Sequence, residues 1–158
     1  MERFAVFPGS FDPFTIGHES IVRRALSLFD KIIIAVGVNS NKPDFFPIEK
    51  RMQWIKEVFE YDEKVSIHNY EGLTIDFCKS VNAKIIIRGI RTSADFEYER
   101  SIAQVNKAMD SDIETVFILT SPEYSAITST LVRDIIRHGG DASKFLPNSH
   151  DLKNFKIH

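Results

Sequence analysis

Three runs of this 158-residue chain, "KIIIAVGV" (31–38), "AKIIIRG" (83–89) and "ETVFILT" (114–120), hold apolar stretches almost without interruption. A strand with one wet face alternates apolar and polar residues. A run that is apolar on both faces needs cover on both, which is the environment of a parallel sheet. The runs "RFAVF" (3–7) and "KVSIHNY" (64–70) complete a set of five strand candidates.

Helical patterns separate them. Val22, Ala25, Leu26 and Phe29 share a face after Gly17; Met52, Ile55, Val58 and Phe59 do so after "FPIEKR", with Trp54 alongside as a core residue. Ile75, Phe77, Cys78 and Val81 mark a shorter helix, and residues 94–109 a longer, more polar one. Leu131, Val132, Ile135 and Ile136 form a last stripe, ended by "HGG" (138–140) as a glycine C-cap. This alternation predicts one α/β domain over residues 1–158. Its architecture is a doubly wound, Rossmann-like, five-stranded parallel sheet with helices on both faces. The tail "HDLKNFKIH" reads as a short helix or a frayed end.

Formal net charge is −2, so no broad cationic surface is available for nucleic acid or an anionic membrane, and neither is expected as a partner. A phosphate site has to be built locally. Cys78 is the only cysteine, which excludes an intrachain disulfide; its setting "IDFCKSV" favours packing over reactivity. No apolar run approaches transmembrane length and the N-terminus lacks a signal-peptide pattern, so a cytoplasmic location is expected.

Sheets of this kind bind ligands beyond the carboxyl ends of their strands. Those ends carry "PGSFDP", "NSNK", "EGLT", "RGIR" and "SPEYSAITST", which should converge. In the first, Gly9 lets backbone approach a ligand, Ser10 offers a hydroxyl, and Asp12-Pro13 starts a turn. His18 falls in the first turn of the next helix, either as a cap or as a donor to a phosphate beside free N–H groups. Lys42 follows the second strand, as a solvated lysine or as a neutraliser of anionic reactants; Glu49 and Arg51 read as structural surface residues at a helix start. Thr74 reads as an N-cap. Arg88 and Arg91 at the end of the fourth strand suit either phosphates or salt bridges to Asp95, Glu97 or Glu99. Phe96 and Tyr98 read as packing residues. Thr128, Ser129 and Thr130 make a hydroxyl-rich helix start, usable as caps or as an anion site.

"GSFDPFTIGH" resembles the "GxFDPxHxGH" signature of the nucleotidyltransferase superfamily related to class I aminoacyl-tRNA synthetases. Thr15 stands where many members have a first His, as is usual in phosphopantetheine adenylyltransferases. "RGIRTSADFEYE" resembles their "RGLRxxxDFEYE", and "ITSTLVRD" their "ISSTxVR", the analogue of the synthetase "KMSKS" loop. Lys42, Phe46, Glu49 and Arg51 follow the family's "K…F…E-x-R" spacing, with Pro43 where a second Lys is common. Together with "HGGDASKFLP", the resemblance runs from Phe4 to about Pro147.

It implies an enzyme that transfers the adenylyl group of ATP to 4′-phosphopantetheine, giving dephospho-coenzyme A and pyrophosphate by direct in-line attack. His18, Lys42, Arg91 and Ser10 would be catalytic. Ser10, Phe11, His18, Gly89, Ile90, Arg91, Glu99, Tyr124, Ser125, Ala126, Ile127, Thr128, Ser129 and Thr130 would bind ATP. Ser10, Lys42, Thr74 and Arg88 would hold phosphopantetheine. Mg²⁺ would ride on the ATP phosphates without protein ligands, coenzyme A could act as inhibitor, and the assembly would be a homohexamer. The alternatives are a nicotinate mononucleotide or glycerol-phosphate type of nucleotidyltransferase, or a non-catalytic adenine-nucleotide-binding module.

Overall fold

Each of the five apolar runs becomes a strand, and all five join one parallel sheet. The computed structural model describes residues 1–148; the tail, with His150 and His158, lies outside the described residues. The strands are β1 (Phe4–Gly9), β2 (Lys31–Val38), β3 (Val65–Glu71), β4 (Ile85–Ile90) and β5 (Glu114–Leu119), in the order β3-β2-β1-β4-β5. Every pairing is parallel, with Phe4 opposite Lys31 and Val6 opposite Ile86. The chain winds outward from β1 to β3, then returns to place β4 on the other side of β1. The switch point therefore lies between β1 and β4, where such sheets open a crevice.

The helices are α1 (Ile16–Ala25), α2 (Ile48–Val58), α3 (Thr74–Ser80), α4 (Ser93–Met109) and α5 (Ser129–Arg137). Ala5, Phe7, Ile32, Ile34, Val36 and Ile87 point to one face of the sheet and pack with Ile21, Val22 and Ala25 of α1 and Ile55 of α2. Val6, Ala35 and Ile86 point to the other and pack with Ile75 and Cys78 of α3. Strand residues alternating between two apolar layers are what the uninterrupted runs require. Each fully buried Ile or Val contributes about 1.5–3 kcal/mol. Trp54 is buried, as expected of a core residue. Burial raises the Cys78 thiol to about 11, which keeps it protonated and inert.

The glycine stop after α5 is a Schellman turn. Gly139 takes φ 74, its N–H reaches the Ile136 carbonyl, and the Gly140 N–H reaches that of Ile135.

Several expectations need correction. Leu131 does not share the buried stripe of α5: it is 53% exposed, and only Val132 of that helix is fully covered. Tyr98 and Phe96 are exposed, although the Phe96 ring still meets Phe117 edge-on at 5.7 Å. The N-cap of α3 is Leu73, and Thr74 one residue later bonds the Tyr70 hydroxyl at 2.9 Å. Arg51 is no surface residue: it is 1% exposed.

Candidate active site

The β1–α1 connection builds the centre of the site. Thr15 caps α1, its Oγ1 accepting the His18 N–H at 3.4 Å, while the Thr15 N–H donates to His18 Nδ1 at 2.9 Å. This is a reciprocal capping box with a histidine in the place usual for Glu or Gln. It also fixes the tautomer. A backbone N–H can only donate, so Nδ1 is the acceptor, and the ring proton of the neutral imidazole sits on Nε2. The cap reading of His18 thus holds, and the cap makes no use of Nε2–H. The ring stands among Phe7, Phe11 and Phe14, with the Phe11 centroid at 5.0 Å. Burial first, then the charges of Arg88 and Arg91, push its pKa from 6.5 down to about 3.

The unfolded chain takes up this proton near 6.5 and the native chain only near 3. The neutral ring therefore contributes stability above the higher value, lost as pH falls through the lower. Between about pH 7 and pH 4 the wild type should lose more melting temperature than His18→Gln, which keeps an acceptor for the Thr15 N–H but does not titrate. Thermal melts across that range check it.

Gly9 lines the cavity at the switch point, and a second constraint also bears on it. A Cβ there would stand 2.8 Å from Phe11 Cζ, so the buried ring of Phe11 (φ 47) would have to shift to admit one.

A cavity of about 460 Å³ opens at the switch point between β1 and β4. Ser10, Phe11, His18, Arg88, Gly89, Arg91, Glu99, Tyr124, Ile127, Thr128 and Ser129 all line it. Three strand ends therefore converge, those of β1, β4 and β5. The other two do not reach the wall. Lys42 is exposed on the loop after β2, and Thr74 starts α3 beyond the cavity's edge. Ile90 is buried in the sheet, Ser125 donates to the Pro122 carbonyl at 2.9 Å, Ala126 is exposed, and Thr130 accepts from Arg133.

For the arginines, the salt-bridge reading holds at Glu99 and Asp95. Arg88 donates from Nε and Nη2 to Glu99 at 2.9 and 2.7 Å, and from Nη1 to the Pro8 carbonyl at 2.5 Å. These bonds use three of its five N–H donors and leave two. Arg91 meets Asp95 through Nε at 3.0 Å and Nη2 at 3.2 Å. Glu97 turns away to Arg100. Each guanidinium is thus balanced by its own carboxylate and still has N–H groups for an anion's oxygens.

At the start of α5 the capping reading also holds, since Thr128 Oγ1 accepts the Leu131 N–H at 3.0 Å. Ser129 donates to the Pro13 carbonyl at 2.8 Å, and Arg133 Nη1 to the Asp12 carbonyl at 2.7 Å, so this helix is docked on the opening turn. Sequence reasoning missed Arg133 and the depth of Arg51 and Asp12. Arg51 had a readable mark: it lies three residues after Ile48 and four before Ile55, on the buried face of α2.

The fold and the cavity define a nucleotidyltransferase: the cytidylyltransferase-like family model matches residues 6–135. A bifunctional NMN adenylyltransferase/ADP ribose pyrophosphatase from Francisella tularensis shares the fold, with TM-score 0.71 and 21% identity over 94% of this chain. This chain spans 46% of that one. A phosphopantetheine adenylyltransferase of Flavobacterium psychrophilum is 51% identical over 151 residues, covering 96% of this chain and 99% of its own. One from Cytophaga hutchinsonii is 51% identical over 147 residues, covering 93% and 98%. The chain belongs to the phosphopantetheine adenylyltransferase family.

Proposed function

We propose that this enzyme joins ATP and 4′-phosphopantetheine into dephospho-coenzyme A with release of pyrophosphate, by in-line attack and without a covalent intermediate. The observation that carries the chemistry is the locked imidazole: His18 Nδ1 is used by the cap, so a neutral Nε2–H donor remains on a residue lining the cavity, beside two arginines. The attacking phosphate is already an anionic nucleophile, so the protein has mainly to position it and stabilise charge. His18 would donate to the α-phosphate oxygens as charge builds there. Arg91 would hold the ATP phosphates, Arg88 the phosphopantetheine phosphate, and the Ser10 hydroxyl would orient the attacking oxygen. Lys42 would swing over the two anions from the loop after β2, and the Thr74 segment would flank the pantetheine arm.

Among the described residues no three of His, Cys, Asp and Glu cluster as a metal site. The carboxylates lining the cavity, Asp95 and Glu99, are each engaged by an arginine. An Mg²⁺ ion therefore fits as a passenger on ATP, where it would neutralise phosphate charge. Coenzyme A, which shares the product's framework, would compete for the same cavity. The decisive experiment is a pyrophosphate assay, in which release should require ATP and phosphopantetheine together. Release from ATP alone, or with nicotinate mononucleotide instead, would reject the reading.

The same proposal includes a homohexamer in the cytoplasm. No helix among the described residues is long and apolar enough to cross a membrane, and the buried free thiol of Cys78 fits a reducing compartment. Tyr98, Ile102, Val105 and Met109 form an apolar stripe along α4, each between 39% and 68% exposed. Such a stripe supports burial against further copies. Light scattering should report the hexamer mass, and Val105→Asp should lower it; a monomeric wild type would reject the assembly.

A further inference from the structure

Behind the cavity wall, the opening turn and the loop after β2 are bound to each other by two buried charged residues. Asp12, 7% exposed, accepts the Phe45 N–H on Oδ2 at 2.8 Å and the Phe46 N–H on Oδ1 at 2.9 Å. Arg51 donates from Nε to the Phe46 carbonyl at 3.0 Å and from Nη1 to the Ser10 carbonyl at 2.6 Å, with Nη2 facing Asp44 Oδ1 at 3.1 Å. The turn thus holds the loop through Asp12, and α2 holds both through Arg51. The Arg137 guanidinium of α5 also lies 5.0 Å from the centre of the Phe45 ring. Residues 39–44 are all exposed, and the Asn41 and Lys42 N–H groups bond only back to Asn39. Phe46 packs its ring on Trp54, but that contact ties the loop to α2 and not to the turn.

A carboxylate taken out of water is costly unless its bonds are good, so one spent on two neighbouring amides fixes their direction and height. The geometry points to Asp12 and Arg51 as positioning residues for Lys42. They form a clamp that sets where the loop leaves the opening turn, and hence where the Lys42 ammonium stands relative to Ser10 and His18. The inference rests on the reading of Lys42 as a group acting on the reacting phosphates.

A double-mutant cycle on kcat/KM tests it, using the full chain with ATP and phosphopantetheine. Asp12→Asn keeps the shape but can accept well from only one of the two amides. It should cost about 10–100-fold in the presence of Lys42 and about threefold or less in a Lys42→Ala background. A merely structural residue would lower both backgrounds by the same factor, and that additivity would overturn the clamp. If Lys42→Ala alone changes nothing, the reading of Lys42 falls and the inference with it, while pyrophosphate release by the wild type still stands. Should Asp12→Asn fail to fold, Asp44→Ala cuts the clamp at its exposed end and goes through the same cycle. It should show the same non-additivity at smaller size, and additive loss there overturns the clamp equally.

Discussion

His18→Ala should lower turnover by about 10²–10³-fold, the scale of losing one oxyanion-type donor, and shift ATP affinity far less. The asymmetry follows from when the bond matters. A neutral Nε2–H gives little to the resting phosphate, whose charge the arginines already meet, and most to the oxygens as charge accumulates during displacement. A protonated imidazole would attract ATP in the ground state as well; burial and the charges of Arg88 and Arg91 hold the ring on the neutral side before ATP arrives. The substitution also removes an acceptor at the start of α1, so stability has to be separated from chemistry. Thr15→Ala does so: it deletes the cap hydroxyl but keeps the N–H that aligns Nδ1. It should cost about 1 kcal/mol of stability with a much smaller loss of turnover. Unchanged turnover in a folded His18→Ala enzyme would remove the imidazole from the mechanism.

The parts of the molecule that could be read ahead are those in which local pattern and tertiary environment agree. "KIIIAVGV" forms a strand over the same residues that its run of β-branched side chains marks, because a strand between two helical layers has no polar face to blur the signal. Patterns failed where an apolar residue stays exposed among the described residues, as at Leu131 of α5 and Tyr98 of α4. Periodicity reports a face but not what covers it. In the site, residue type told which groups could meet phosphate but not how they are held. Nothing in "RGIR" says that Arg88 spends three donors on Glu99 and Pro8, since that depends on α4 crossing the end of β4. Likewise Asp12 looks like a turn residue from its neighbours, and its actual partners are 33 and 34 positions away. Bonds of that range are set by topology, and only the folded chain displays them.

Arg88→Met should damage both stability and synthesis, and a second substitution can pull the two apart. Removing the guanidinium strands the Glu99 carboxylate, whose side chain is 11% exposed, and leaves the Pro8 carbonyl without its donor. Breaking a buried pair from one side costs about 3–5 kcal/mol; with the Arg88 side chain 32% exposed, about 2–3 kcal/mol is the reasonable expectation. In Arg88→Met with Glu99→Gln, no uncompensated charge remains, so denaturant melts should return most of that loss. Synthesis should not return with it. The two N–H groups that Arg88 does not spend on protein are the ones proposed to hold the substrate phosphate, and Met supplies neither. The KM for phosphopantetheine should therefore stay raised in both variants, by about 10-fold or more, as for a lost charge-assisted contact of about 1.5–3 kcal/mol. Recovery of turnover along with stability would make the guanidinium a scaffold for Glu99 alone. Recovery of stability without turnover assigns its unclaimed donors to the incoming phosphate.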